Sequence, residues 1–322
     1  MNSFFLLLSH FNDYFSGSFS DVNSGVSRVV FSSDKYWIHD CSFVGLEISG
    51  NGGSIYCSRN GALFVCENVL VLSCFSSNSG GAIYFQTDSS GSIVLNRVCG
   101  YRCGTNSNTR GQFINVQNSN MINITKTSVA FCSPSTVGYE KETSIYLVQG
   151  IIYMANFNLS YSQNYKYSSM NFESSSTKNF IEFSSIVSNC AVNCNQITFY
   201  TGTYSLQKSN IVNNTQGPTS NSVIYNYNGA TTEFLECVFF QNSNQYLFEA
   251  ISGVLKITSC WLDSTSSYPG RSPIFYDSRS YSSTHNINHP ANAICNGDQP
   301  KTNSYNNKQL PSVFVLLSVI IC

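Results

Sequence analysis

Charged side chains are scarce in this sequence. Asp, Glu, Lys and Arg make up 10% of its 322 residues, against about 25% in ordinary soluble domains. The formal net charge is −1 and no basic run occurs, so the chain has no electrostatic field that would attract nucleic acid. The composition therefore argues against a nucleic-acid partner.

Proline is also rare, with 7 residues, whereas hydrophobic residues make up 42% and aromatic residues 14% of the chain. This content is too high for a disordered protein. Ser, Asn, Thr and Tyr take the place of the missing charges, and these residues suit strands and turns better than helix surfaces. We expect β structure.

An internal repeat is the strongest feature of the sequence. Apolar strand-like runs return about every 28 residues, separated by Ser, Asn and Gly turns and without a helical stripe. The first run of each repeat has anchors at Ile55, Ile83, Phe113, Ile145, Met170, Ile197, Val223, Leu247 and Ile274. The second has anchors at Leu63, Ile93, Ile122, Ile152, Phe180, Leu206, Phe234 and Leu255.

A third apolar run closes each repeat, as in Ile186-Val187 and Ile211-Val212. A period of 20 to 50 residues indicates a stacked solenoid. The sequence therefore predicts an all-β, right-handed parallel β-helix of about eight coils of about 28 residues, with three short strands per coil. Each coil would bury its apolar face only against its neighbours.

The repeat divides the chain into four parts. We expect an N-terminal cap at 1–30, the β-helix at 31–282, a polar linker at 283–311 and a short hydrophobic tail at 312–322. The apolar run 4–8 has neither a preceding basic residue nor a small-residue cleavage site, so it makes a poor signal peptide. The tail is shorter than the roughly 20 residues that cross a bilayer, and it fits a truncated membrane span, a lipid-anchor signal or a buried end strand. Membrane association through this tail is therefore open.

Cysteine occurs 13 times. Cys74, Cys103 and Cys132 are 29 residues apart and Cys190 lies 58 further on, which predicts one column of stacked side chains. Neighbouring coils bring Cα atoms within disulfide range, but a ladder of free buried thiols is the favoured interpretation.

Two glycine motifs carry a family resemblance. Phe75-Ser-Ser-Asn78 followed by Gly80-Gly81-Ala82-Ile83 resembles the FxxN and GGA[ILV] motifs of the polymorphic outer-membrane protein repeat, and Gly52-Gly53-Ser54-Ile55 is a second copy. Repeat-rich surface proteins of parasitic protists are similar. The resemblance implies a right-handed β-helix, display at a cell surface, and adhesion or antigen variation. Later coils keep the period and lose the glycines.

The β-helix fold also carries pectinases and polysaccharide lyases, so an enzyme is the alternative. Glycoside hydrolysis needs two carboxyl groups about 5 to 9.5 Å apart. Glu233 and Glu236 share one strand region without a partner in the next coil, and Asp40, Glu67 and Asp88 fall at different strand positions. We interpret these acids as solvated surface groups. The other acids in the repeats are Glu47, Glu173, Glu182, Glu249 and Asp263.

Other candidate chemistry is weak. Arg97, Arg102 and Arg110 could supply a lyase base but have no acidic cluster beside them. The CxxxC pairs Cys99/Cys103 and Cys190/Cys194 lack structural-zinc spacing, and His285 and His289, near Cys295, fall in the linker. No GxSxG, HExxH or phosphate-binding loop occurs. We predict no catalytic residue, cofactor or metal.

Asn123, Asn158 and Asn213 begin Asn-X-Ser/Thr sequences, which are compatible with a secreted eukaryotic protein. The predicted function is a non-catalytic surface, adhesion or display protein at the cell surface or outside the cell. Its Tyr- and Asn-rich outer faces would meet an extracellular protein or a glycan. The alternatives are a carbohydrate-active β-helix enzyme and a truncated family copy without activity.

Overall fold

A computed structural model describes residues 11–132, 143–164, 169–217, 222–243, 245–287 and 289. These residues form one short helix, Phe11–Tyr14, and otherwise strands that pair in parallel from coil to coil. The predicted all-β parallel β-helix is confirmed. The apolar run 4–8, the tail 312–322 and most of the predicted linker lie outside the described residues.

One wall of the solenoid is a nine-stranded sheet that contains the first strand of each coil. Its strands are Val29–Val30, Ile55–Ser58, Ile83–Gln86, Ile114–Gln117, Ile145–Val148, Met170–Glu173, Ile197–Phe199, Ser222–Asn226 and Tyr246–Ala250.

Most of the remaining strands form a nineteen-stranded sheet of two ladders side by side, joined by two ten-residue strands that belong to both. Its strands are Ser20–Val22, Lys35–His39, Ser42–Val44, Leu63–Leu72, Ser92–Tyr101, Met121–Thr125, Ser128–Ala130, Ile151–Ala155, Asn158–Ser160, Asn179–Glu182, Ser185–Val187, Thr203–Gln207, Asn210–Val212, Ala230–Leu235, Val238–Phe240, Gly253–Thr258, Trp261–Leu262, Ile274–Tyr276 and Arg279–Ser280. Two small sheets add a fourth short strand to several coils: Glu47–Ile48, Phe75–Ser76 and Gly104–Thr105, and Gln163–Asn164, Cys190–Ala191 and Thr215–Gln216. One continuous apolar core fills the interior.

Some predicted anchors of the first strand are displaced by one residue. Ile114, Ile224 and Phe248 occupy the column that contains Ile55. The predicted anchors at 113, 223 and 247 each lie one residue before the residue that occupies the column. Both neighbours are buried, so hydrophobicity does not separate them. Ile274 was also assigned wrongly, because it pairs with Lys256 in the nineteen-stranded sheet.

Phe180, which the sequence predicted as a core anchor of the second strand, lies on the outer face instead. It pairs with Tyr153 and Ser205 on the outer face and is 45% exposed, while its neighbour Ile181 is buried. Adjacent strand residues face opposite sides of a sheet, so an assignment that is wrong by one residue exchanges core and surface.

Two columns of left-handed residues make the corners of the nineteen-stranded sheet. The first corner column has φ between 46° and 56° and consists of Asp40, Asn68, Arg97, Lys126, Asn156, Phe183, Lys208, Glu236, Ser259 and Asp277. The second corner column has φ between 50° and 54° and consists of Ser73, Arg102, Phe131, Tyr161, Ser188, Asn213 and Gln241. Few non-glycine residues adopt this conformation. Stacked backbone hydrogen bonds such as Asn156 N–H to Glu182 O, 3.2 Å, hold them in it.

The glycine pairs serve two purposes. Gly52 and Gly80 have φ of 69°, the left-handed conformation that glycine adopts without strain. Gly53 and Gly81 have ordinary φ, but a Cβ at either position would lie 2.1 Å from a backbone oxygen of the next coil. The first glycine therefore makes the turn, and the second allows the coils to approach closely.

The residues that follow the second corner column form an interior column, the corner-lining column. Its members are Cys74, Cys103, Cys132, Ser162, Asn189, Asn214 and Asn242. The three cysteines are free and buried, so the predicted ladder of thiols is confirmed for them. The assignment of Cys190 is wrong, because Asn189 occupies the column and Cys190 is disulfide-bonded.

Cysteine and asparagine make equivalent bonds in this column. Cys103 Sγ donates to Val71 O at 3.4 Å, and Asn189 Nδ2 donates to Leu159 O at 3.0 Å. Val71 and Leu159 belong to the same ladder column through successive pairings. Either side chain therefore satisfies the carbonyl of the preceding coil at the bend.

Candidate binding surface

Acidic groups converge on His39 near the N-terminal end of the nineteen-stranded sheet. The imidazole Nδ1 lies 2.9 Å from Asp40 Oδ2, Nε2 lies 2.8 Å from Asp21 Oδ1, and the ring stacks on Trp37 at 3.6 Å. Asp21 belongs to the first strand of the sheet, so this contact attaches that strand to the first coil. Because carboxylates occupy both ring nitrogens, His39 has no nitrogen available for a substrate proton.

Glu67 lies beside this cluster. It pairs with His39 in the ladder, so Asp40 and Glu67, which the sequence assigned to separate strand positions, are brought into adjoining coils. Glu67 is 5% exposed, and its Oε1 accepts a hydrogen bond from Asn96 Nδ2 at 2.9 Å. Asn96 also donates to the hydroxyl of Tyr14 in the N-terminal helix. The helix therefore packs over this acid.

Four further acids of the walls are engaged by other protein groups. Tyr153 donates to Glu182 at 2.8 Å and Thr258 donates to Glu233 at 3.1 Å. Glu233 pairs with Ser205 and Lys256, so no second carboxylate faces it in the neighbouring coils. Glu236 lies at a corner 3.8 Å from Lys208, and Glu249 is fully buried against Arg271 at 2.9 Å.

The three arginines that the sequence grouped do not form a cluster of bases. Arg97 and Arg102 occupy two different corners, one at each end of the second half of the long strand Ser92–Tyr101. Arg110 packs its guanidinium over the ring of Tyr146, 4.8 Å from its centroid. Within the part of the chain that the structure describes, no group of three or more His, Cys, Asp or Glu is arranged to hold a metal ion.

The two linker histidines bind the outer face of the solenoid. Tyr281 stacks on Phe240 at 3.7 Å, and the Asn210 side chain pairs with both the N–H and the C=O of His285 at 2.9 Å. His289 Nε2 lies 2.9 Å from Ser185 Oγ. Residues 281–287 and 289, which we call the C-terminal strap, thus contact successive coils in the order opposite to the chain. The sequence missed this contact because no local pattern marks it.

An open groove of about 430 Å³ lies where the nine-stranded sheet turns toward the nineteen-stranded sheet. Residues 58–60 and 86–89, with Asn118 and Gln149, line it from four successive coils. Every lining side chain is polar, and most are amides or hydroxyls. Such groups donate and accept hydrogen bonds without a net charge.

Both charged residues of the groove already have partners. Arg59 donates from Nε and Nη2 to Asp34 Oδ1 at 3.1 and 3.0 Å. Asp88 accepts from the Ser90 hydroxyl at 2.6 Å and from the Gly61 and Ser90 N–H groups. These bonds, the Ser90 hydroxyl first, lower the pKa of Asp88. The groove therefore offers paired charges and neutral hydrogen-bonding groups.

The fold and this surface define a parallel β-solenoid with a polar corner groove. No protein-family model, curated protein or solved structure matches the chain. Among the described residues, no helix has the length and apolar character needed to cross a membrane.

Proposed function

We propose that this protein is a non-catalytic surface-display or adhesion protein whose β-helix presents the polar groove to an extracellular glycan or protein. The observation that carries the proposal is the contrast between the groove and the acidic cluster. The groove is open and lined from four coils mostly by neutral polar groups, and its two charged residues are paired within the protein. The cluster at His39 has both ring nitrogens occupied and lies beside a buried Glu67.

The groove suits a hydroxyl-bearing ligand better than an ionic one. Its two charges are compensated within the protein, whereas its amides and hydroxyls can exchange hydrogen bonds with hydroxyl groups. Its lining comes from successive coils, about 4.8 Å apart in a parallel ladder, so polar groups of different kinds recur at regular intervals along the axis. That arrangement fits an extended chain of similar units, such as a glycan.

The location is tested by antibody labelling of the tagged full-length protein on intact cells and on permeabilised cells. We expect labelling on intact cells. Labelling confined to permeabilised cells would contradict the surface assignment, and polysaccharide cleavage would then be the next assay.

The binding face is tested with a glycan array and purified protein. Asn60→Ala combined with Ser89→Ala alters two exposed groove side chains and should weaken binding at least tenfold. The matched control is Gln207→Ala on the outer face of the nineteen-stranded sheet, which should bind as the wild type does. Equal losses in both variants would place the binding face elsewhere.

A further inference from the structure

Three Asn-X-Ser/Thr sequences occur in the chain, at Asn123, Asn158 and Asn213, and the fold gives each a different environment. We propose that Asn213 carries an N-linked glycan in the folded protein, and that Asn123 and Asn158 do not. The inference rests on the proposed surface location, because export exposes the chain to the glycosylation machinery.

Asn158 is enclosed by the solenoid. It lies in the strand Asn158–Ser160, pairs with Ser128 and Ser185 in the neighbouring coils, and is 8% exposed. The hydroxyl residue of its motif, Ser160, is also buried. A glycan at this position would have to separate packed side chains, which the folded ladder does not allow.

Asn123 is half-buried on the outer face of the nineteen-stranded sheet. It pairs with Val94 and Tyr153 in adjoining coils, and its Oδ1 is enclosed without a hydrogen-bond partner among the described residues. A bulky group on this amide would meet the flanking Tyr153 side chain. The position therefore has little room for a branched oligosaccharide.

Asn213 lies at the second corner, where the chain turns outward. Its side chain is exposed, its φ is 54°, and the neighbouring corner residues Ser188 and Gln241 are half-buried and exposed. Its backbone N–H donates to Phe240 O at 2.9 Å. The backbone bond does not use the side chain, which projects from the corner and is exposed.

The chemistry needs only the Asn213 amide and a lipid diphosphate-linked oligosaccharide donor. A bond forms between Nδ2 and the anomeric carbon of the sugar, the bond from that carbon to the diphosphate oxygen breaks, and Nδ2 loses one proton as the lipid diphosphate leaves. Nδ2 donates to Ser188 Oγ at 3.0 Å. That bond can persist, because the product amide keeps one N–H.

The test expresses the full-length chain behind a supplied secretion leader in cultured eukaryotic cells. Secreted protein is treated with peptide N-glycosidase, and peptide mapping then locates each conversion of Asn to Asp. We expect conversion at Asn213 and none at Asn123 or Asn158. Asn213→Gln should abolish the whole electrophoretic shift, whereas the control Asn228→Gln, at a corner residue with φ of 52° outside any such motif, should leave it unchanged.

The outcomes separate this inference from the proposed function. The supplied leader takes the chain through the glycosylating compartment whatever its natural route. An unmodified Asn213 in secreted or retained chains, or a modified Asn158 in secreted protein, overturns the inference and leaves the surface assignment intact. Absence of native protein from intact cells overturns the surface assignment instead.

Discussion

Replacing Asn214 by alanine removes the central asparagine of the corner-lining column. Its side chain is fully buried, and Oδ1 accepts from the Asn189 N–H at 3.1 Å while Nδ2 donates to Ile186 O at 2.8 Å. The alanine variant would leave the buried Asn189 N–H without its partner, whereas Ile186 O keeps its place in the ladder between Ser185–Val187 and Asn210–Val212. An unpaired buried group costs about 1–3 kcal/mol, so Asn214→Ala should lower the free energy of unfolding by about that amount.

The assay is urea unfolding followed by circular dichroism. The m value should stay constant, because the surface exposed on unfolding hardly changes. Asn214→Cys should recover part of the loss, since Cys103 donates to the equivalent carbonyl from the same column. Asn213→Gly is the matched control, because this exposed neighbour has a positive φ, and it should stay within about 0.5 kcal/mol of the wild type.

A loss below about 1 kcal/mol for Asn214→Ala would refute the reasoning, since it would mean that water or repacking satisfies the Asn189 N–H. A cysteine variant no more stable than the alanine variant would refute the equivalence of thiol and amide in this column. The alanine variant therefore tests whether Asn214 stabilises the fold, and the cysteine variant tests whether a thiol can replace the amide.

Three further predictions concern an ion pair in the last coils, the C-terminal strap and the cysteine thiols. Arg271→Leu leaves the fully buried Glu249 carboxylate without its 2.9 Å partner and should lower the free energy of unfolding in urea by about 3–5 kcal/mol. The double variant Arg271→Leu with Glu249→Gln should recover most of that loss. An Arg271→Leu variant as stable as the wild type would contradict a stabilising ion pair. Burial lowers the pKa of His289 in the docked strap below its ordinary 6.5. His289 therefore binds a proton more tightly when the strap is undocked. Docking of the strap is complete above pH 6.5 and is lost as pH falls through the lowered pKa. Protection of residues 281–287 against hydrogen exchange, after correction for the intrinsic rate at each pH, should therefore fall below that pH in the wild type. A protection profile equal to that of His289→Gln would disprove the role. Cys194 is partly exposed, whereas thiols such as Cys57 and Cys103 are fully buried, so native alkylation should label Cys194 first and leave the buried thiols unlabelled until unfolding. Early labelling of Cys57, where burial raises the pKa to about 12, would contradict the packing.

The repeat predicted the architecture because every coil must present apolar residues to one shared core. It did not predict the register, because the coils differ in length. The first corner column advances by 30, 27 and 25 residues from Lys126 through Asn156 and Phe183 to Lys208. For the same reason Cys190, placed two steps of 29 after Cys132, misses the corner-lining column by one residue.

Phe180 illustrates a second limit. Phe180 is as apolar as a core residue, but adjacent strand residues point to opposite sides of the sheet. Ile181 points into the core, so Phe180 points to the outer face. Composition cannot distinguish the two when both neighbours are apolar. Only the pairing with Tyr153 and Ser205 does so.

The sequence by itself determined the parallel β-helix, its repeat length and the stacking of Cys74, Cys103 and Cys132, because these follow from periodic burial along one chain. The tertiary structure alone decided which polar groups meet. Asp21 reaches His39 and the strap reaches Asn210 only after coils stack and the chain ends fold back. Such contacts depend on three-dimensional proximity between segments with no shared period, so no local pattern encodes them.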